Sequence, residues 1–136
     1  MFNEIKKISS LLLSVAFSSI GFIASITVTV LAAREVSSNP LFVGFPNAVG
    51  VGGAVIGTRM IYLISKSNSQ LNALAFTFLI GAFGGAIMFY SLVLDSFLLL
   101  LLGAFILGIG QSATLQTRYA ASFVAGAKFK ATALSL

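Results

Sequence analysis

The only acids in the chain are Glu4, Glu35 and Asp95, and each stands at the edge of an apolar run. No two share a run, so the paired carboxylates of general acid–base chemistry are missing. Histidine and cysteine are absent. That removes the usual nucleophile–base pairs, thiolate zinc sites and disulfides. The stretch GGAVIGTR, residues 52–59, has glycines in the manner of a phosphate loop but lacks the lysine and sits in an apolar run. No enzyme, metal or cofactor is expected. What remains is hydrogen-bonding chemistry in apolar surroundings: Ser14, Ser18, Ser25, Asn47, Gln111, Thr114 and Gln116. Ser14, Ser18, Gly21, Ser25 and Thr29 are spaced 4, 3, 4 and 4, which puts them on one helical stripe. Such a stripe either packs against a neighbouring helix or lines a water-filled path, and serine hydroxyls also bond their own helix.

The elements that carry these residues follow from composition. The chain has 136 residues, 58% hydrophobic and 8% charged, against about a quarter charged in soluble domains. Eleven charged side chains, eight basic and three acidic, cannot cover a soluble fold of this size, so the lipid bilayer is the expected partner. The net charge of +5 does not point to nucleic acid, because the basic residues flank apolar runs as topology signals do. Four runs approach the roughly 20 residues that span a hydrocarbon core: residues 10–33, 41–64, 72–94 and 97–117. They do not alternate with period two, so the expected fold is all-α with four transmembrane helices rather than a barrel. The first run follows Lys6 and Lys7 as a signal peptide would, but its apolar core is longer and three more spans follow. Asn39-Pro40 signals a turn, and Asp95-Ser96 a tight hairpin.

Lysine and arginine set the orientation. With residues 1–9 in the cytoplasm, that side holds Lys6, Lys7, Arg59, Lys66, Arg118, Lys128 and Lys130, against Arg34 alone on the other. Both termini are therefore expected to be cytoplasmic, with residues 118–136 as a cytoplasmic tail. Small residues recur at four-residue spacing: Gly53 and Gly57, Gly81 and Gly85, then Ala104, Gly108 and Ser112. These faces let helix backbones approach in lipid. Gly110 lies off that face and suits close approach elsewhere. Pro46 falls within the second run, where proline kinks a helix. Asn47 beside it places an amide at membrane depth, which is costly without a partner. Arg59 can snorkel to the interface.

The segment IGQSATLQTRYAASFVAGAKFKATALSL, residues 109–136, with Gly108 before it, resembles the fourth helix and following loop of major facilitator superfamily transporters. Gly108, Gly110, Ala113, Leu115, Gln116, Arg118, Tyr119, Ala120 and Ala121 match, and 134–136 match the start of a fifth helix. Gly57, Arg59 and Lys66 resemble the basic signature between the second and third helices. Ile61 and Ile64 replace that signature's aspartate and second glycine. Phe123 replaces an aspartate, and Ala104 stands where many proton-coupled exporters carry arginine, so proton-coupled drug export is not implied. The resemblance implies a twelve-helix fold of inverted three-helix repeats that moves a small solute by alternating access across the cell membrane. The chain would be its N-terminal fragment, the first four helices, inactive alone, with the remaining helices as partners. Ser14, Ser18, Ser25, Asn47, Gln111, Thr114 and Gln116 would face the substrate path. Gly57, Arg59, Lys66 and Arg118 would serve the cytoplasmic gate or its structure. A rival reading is a self-sufficient four-helix membrane protein that assists assembly or packs on a partner. A small four-helix multidrug transporter would need an acid in the first helix, and none lies between Ser10 and Ala33.

Overall fold

The computed structural model describes residues 2–37, 39–67 and 69–124, with side chains at Ser9, Leu13 and, within those ranges, 16–117. The expected tail beyond residue 124 and the side chains of Ser14 and Arg118 lie outside the described residues. The fold is all-α. Helix α1 runs Phe2–Val36, α2 Phe45–Ser67, α3 Gln70–Val93 and α4 Phe97–Val124, with a short 3-10 turn at Pro40–Phe42 before α2. All four are long and apolar enough to cross a membrane, through windows Ala16–Val36, Pro40–Ser67, Gln70–Val93 and Phe97–Thr117.

Local chemistry places the ends. The Asn39 side chain accepts a hydrogen bond from the Leu41 N–H at 3.1 Å and caps the 3-10 turn, with Pro40 following at its first position. At the α3–α4 hairpin, Asp95 takes φ +47°. The Ser96 N–H returns to the Ser91 carbonyl at 3.1 Å, the wrapped C-terminus of a Schellman motif. Pro46 corrects the expectation of a kink: α2 begins at Phe45, so the proline occupies the first turn, where no helical partner awaits its missing N–H. Asn47 accordingly sits at the start of α2, half-buried.

Helix α4 is the centre of the bundle. Half of its apolar span is buried (50%), against 17% for α1. One α4 face meets α2 in parallel, Gly53 against Phe105 and Gly57 against Ile109 and Ser112. Another meets α3 antiparallel, Gly81 against Gly110 and Gly84 against Leu107 and Gly103. Without a Cβ at these positions the backbones come into direct contact, which is how helices gain dispersion energy where lipid removes the hydrophobic drive. The small-residue expectation needs one correction: Gly84, not Gly85, makes the α3–α4 approach. A Cβ on Gly85 would meet only Leu107 Cδ1, at 3.9 Å. Gly110 does serve a close approach, to Gly81.

Two apolar clusters close the ends of the bundle, one among α2, α3 and α4 and the other among α1, α3 and α4. Ile61, Ala73, Leu74 and Ala113 form one, and Ala32, Ala33, Met88 and Leu100 the other. Large apolar side chains such as Phe17, Ile23, Leu79, Phe83 and Leu98 point outward, each about two-thirds exposed or more. An exterior of that kind suits hydrocarbon, not water.

Candidate functional site

The buried hydroxyls mostly satisfy themselves. Thr29, Thr77, Ser91, Ser112 and Thr117 each donate to a carbonyl three or four residues back in their own helix, at 2.6–2.8 Å. They cost the interior little and offer a ligand little. Two side chains of α4 depart from this. Gln111 Nε2 donates to Ser25 Oγ of α1 at 3.0 Å, across 86 residues of chain. Ser25 Oγ in turn donates to the Phe22 carbonyl at 2.7 Å. Thr114 is 8% exposed, and its hydroxyl makes no hydrogen bond among the described residues.

These groups meet at one cavity of about 320 Å³ between α1, α3 and α4. Ser18, Ser25, Gln111 and Thr114 form its polar part, and Phe22, Phe78 and Leu107 its apolar walls. Gly21, Gly81, Gly85 and Gly110 make room for it. The space exists because α1 packs far more lightly on the bundle than α2 and α3 pack on α4. A second cavity of about 270 Å³ adjoins it, sharing Gly21, Ser25, Gly85 and Leu107, and runs on past Val28, Ala32, Met88 and Phe89. No charged side chain lines either one.

Over nearly its whole length the chain is similar to two transporters of Bacillus subtilis (strain 168). It is 29% identical over 124 residues to the uncharacterized MFS-type transporter YdeG, covering 91% of this chain. It is 31% identical over 131 residues to the uncharacterized MFS-type transporter YddS, covering 96%. The chain belongs to the major facilitator superfamily. It spans only 29% and 30% of the length of these relatives. No family model and no solved structure matches it significantly. With four spanning-type helices and relatives of this kind, the chain is a multi-pass membrane protein.

Within this superfamily member, four of the residues singled out from sequence come together: Ser18, Ser25, Gln111 and Thr114. The remaining ones with described side chains do not join them. Asn47 lies at the start of α2, and Gln116 is half-buried outside both cavities. Gly57 is buried in the α2–α4 contact, whereas Arg59 and Lys66 are exposed. Sequence reasoning missed Phe22, Phe78 and the apolar extension. Phe78, Gly81, Ala82 and Gly85 recur at helical spacing on α3, a signal that was present but indistinct in so apolar a helix.

Proposed function

We propose that the chain supplies part of the solute path of a secondary transporter that works by alternating access, in partnership with further helices. The observation that carries the reading is the cavity in which Gln111, Thr114, Ser18 and Ser25 converge among otherwise apolar helices. Polar groups at membrane depth are costly and are kept where they face protein, water or a ligand. The names of the two relatives support transport as the activity. In this reading the N-terminus and the α2–α3 connection face the cytoplasm and the α3–α4 hairpin faces outward, in the cell membrane. Arg59, Lys66 and Arg118 then stand at the cytoplasmic edge, where they anchor helix ends, and Gly57 holds α2 to α4.

The chain contains no native cysteine, which makes the test clean. Cysteines introduced at Ser18 and Thr114, one at a time, react with a small water-soluble thiol reagent, and a cysteine at the outward-facing Leu79 does not. In the transporting protein, Gln111→Ala raises the KM for the solute more than it lowers kcat. Equal inertness of the Ser18, Thr114 and Leu79 positions would remove the cavity from any aqueous path.

A further inference from the structure

We infer that this groove takes a neutral amphipathic solute, held by an amide- or hydroxyl-type head at Gln111 and Thr114 with an apolar tail along the adjoining cavity. The inference rests on the transport reading and adds the class of molecule.

The head is defined by hydrogen-bonding capacity left over. Gln111 uses one N–H on Ser25 Oγ at 3.0 Å. Its second N–H and its carbonyl Oε1 make no bond among the described residues. An amide carries two donors and an acceptor with two lone pairs. Thr114 lies one turn along the same face of α4, lines the same cavity, and is more than nine-tenths buried with its hydroxyl unpaired among the described residues. Of the other buried hydroxyls, those of Thr29, Thr77, Ser91, Ser112 and Thr117 are spent on their own backbone, and the unpaired Ser65 Oγ of α2 lines neither cavity. The free set therefore both donates and accepts. Its complement is a group that also does both, a primary amide or an alcohol.

The tail is defined by the adjoining cavity. Ser25 is its one polar side chain, and Ala24, Val28, Ala32, Met88, Phe89 and Leu92 supply most of the remainder. The two spaces share four residues, so one molecule can lie along both with its head toward Gln111.

Neutrality follows from electrostatics. Among the described residues Arg34, Glu35, Arg59, Lys66 and Asp95 are all exposed, and none lines the groove. An ion placed against this described lining would lose its hydration without gaining a countercharge from it, a penalty that burial in an apolar site makes severe.

The test uses three probes of one shape, octanamide, octanoate and octylammonium, on the protein in lipid nanodiscs. A photoreactive diazirine analogue of octanamide reports occupancy, and peptide mapping reports position. Saturable labelling on α1 around Val28 and on α3 around Met88 and Phe89 is expected. Unlabelled octanamide competes, and the two ions compete at least about tenfold more weakly, as loss of charge hydration demands. Thr114→Val, which keeps the shape, weakens labelling by about tenfold, and Thr114→Ser restores it. Gln111→Leu weakens it similarly. Competition by octanoate or octylammonium equal to that of octanamide overturns the neutral-solute inference while leaving the cavity as a solute path. Labelling indifferent to Thr114→Val and Gln111→Leu overturns the assignment of the head. Absence of saturable labelling by any probe, together with inert cysteines at Ser18 and Thr114, defeats the transport reading as well.

Discussion

Adding one methyl group at Gly81 separates close helix packing from mere helix content. A Cβ built there lies 2.7 Å from Gly110 Cα, whereas carbon atoms rest at about 3.5–4.0 Å. The obstacle is backbone, so no side chain can swing aside, and α3 must move off α4 by roughly 1 Å. Overpacking of this kind costs about 1–3 kcal/mol. Against it stands the gain from replacing glycine in a helix, about 0.5–1 kcal/mol. Gly85→Ala supplies the control: its Cβ meets only Leu107 Cδ1 at 3.9 Å, so it collects the same gain without the clash. The propensity terms cancel between the two variants, leaving the overpacking cost. Ser91 is fully buried on α3, so Ser91→Cys provides a single thiol that reacts only when α3 leaves α4. In that background Gly81→Ala raises thiol reactivity over Gly85→Ala by roughly 5- to 150-fold, the ratio that 1–3 kcal/mol implies. Equal reactivity of the two variants would show that the α3–α4 approach at Gly81 does not hold the bundle.

Three further outcomes are expected. Single cysteines at Ser67 and Ser96 label from opposite sides of the membrane, and labelling of Ser67 by an impermeant reagent from outside would invert the topology. Asp95→Gly relieves the left-handed backbone at φ +47° and stabilises by up to about 1 kcal/mol, whereas Asp95→Val costs about 1–2 kcal/mol, both read from detergent-resistance midpoints. A double-mutant cycle of Gln111→Leu with Ser25→Ala yields a coupling of about 0.6 kcal/mol, and no more than about 1.7, as interhelical hydrogen bonds in membranes do; zero coupling would mean the two side chains do not meet.

The four helices were legible because apolar runs of membrane length leave few alternatives. Their ends were less so. The apolar run read from Ser10 marks only part of α1, whose helix continues back to Phe2 through Lys6 and Lys7, because charge does not interrupt backbone hydrogen bonding. Pro46 read as an interior kink, since hydropathy does not reveal that helical geometry starts only at Phe45. The choice between Gly84 and Gly85 was beyond periodicity: neighbours differ by about 100° around the axis, and only the position of α4 selects one. The same geometry sorts the polar residues. Gln111 and Thr114, three apart, share a face, while Gln116 is turned about 200° from Thr114. The apolar half of the groove left no mark in a chain where apolar residues are everywhere.

The hydrogen bond between Ser25 and Gln111 joins residues 86 positions apart, and this has a consequence for biogenesis. At synthesis rates of roughly 5–20 residues per second, α1 emerges about 4–17 s before the partner it bonds. During that interval Ser25 has its own helix to satisfy it, through the Phe22 carbonyl. The flanks of α1, with Phe17, Ile20 and Ile23 outward, are at ease among acyl chains. The helix can therefore wait in the bilayer without a chaperone for its hydroxyl. The order in which the helices insert and the order in which they dock are thereby uncoupled: α4, the last of the four to be made, is the one that gathers the others.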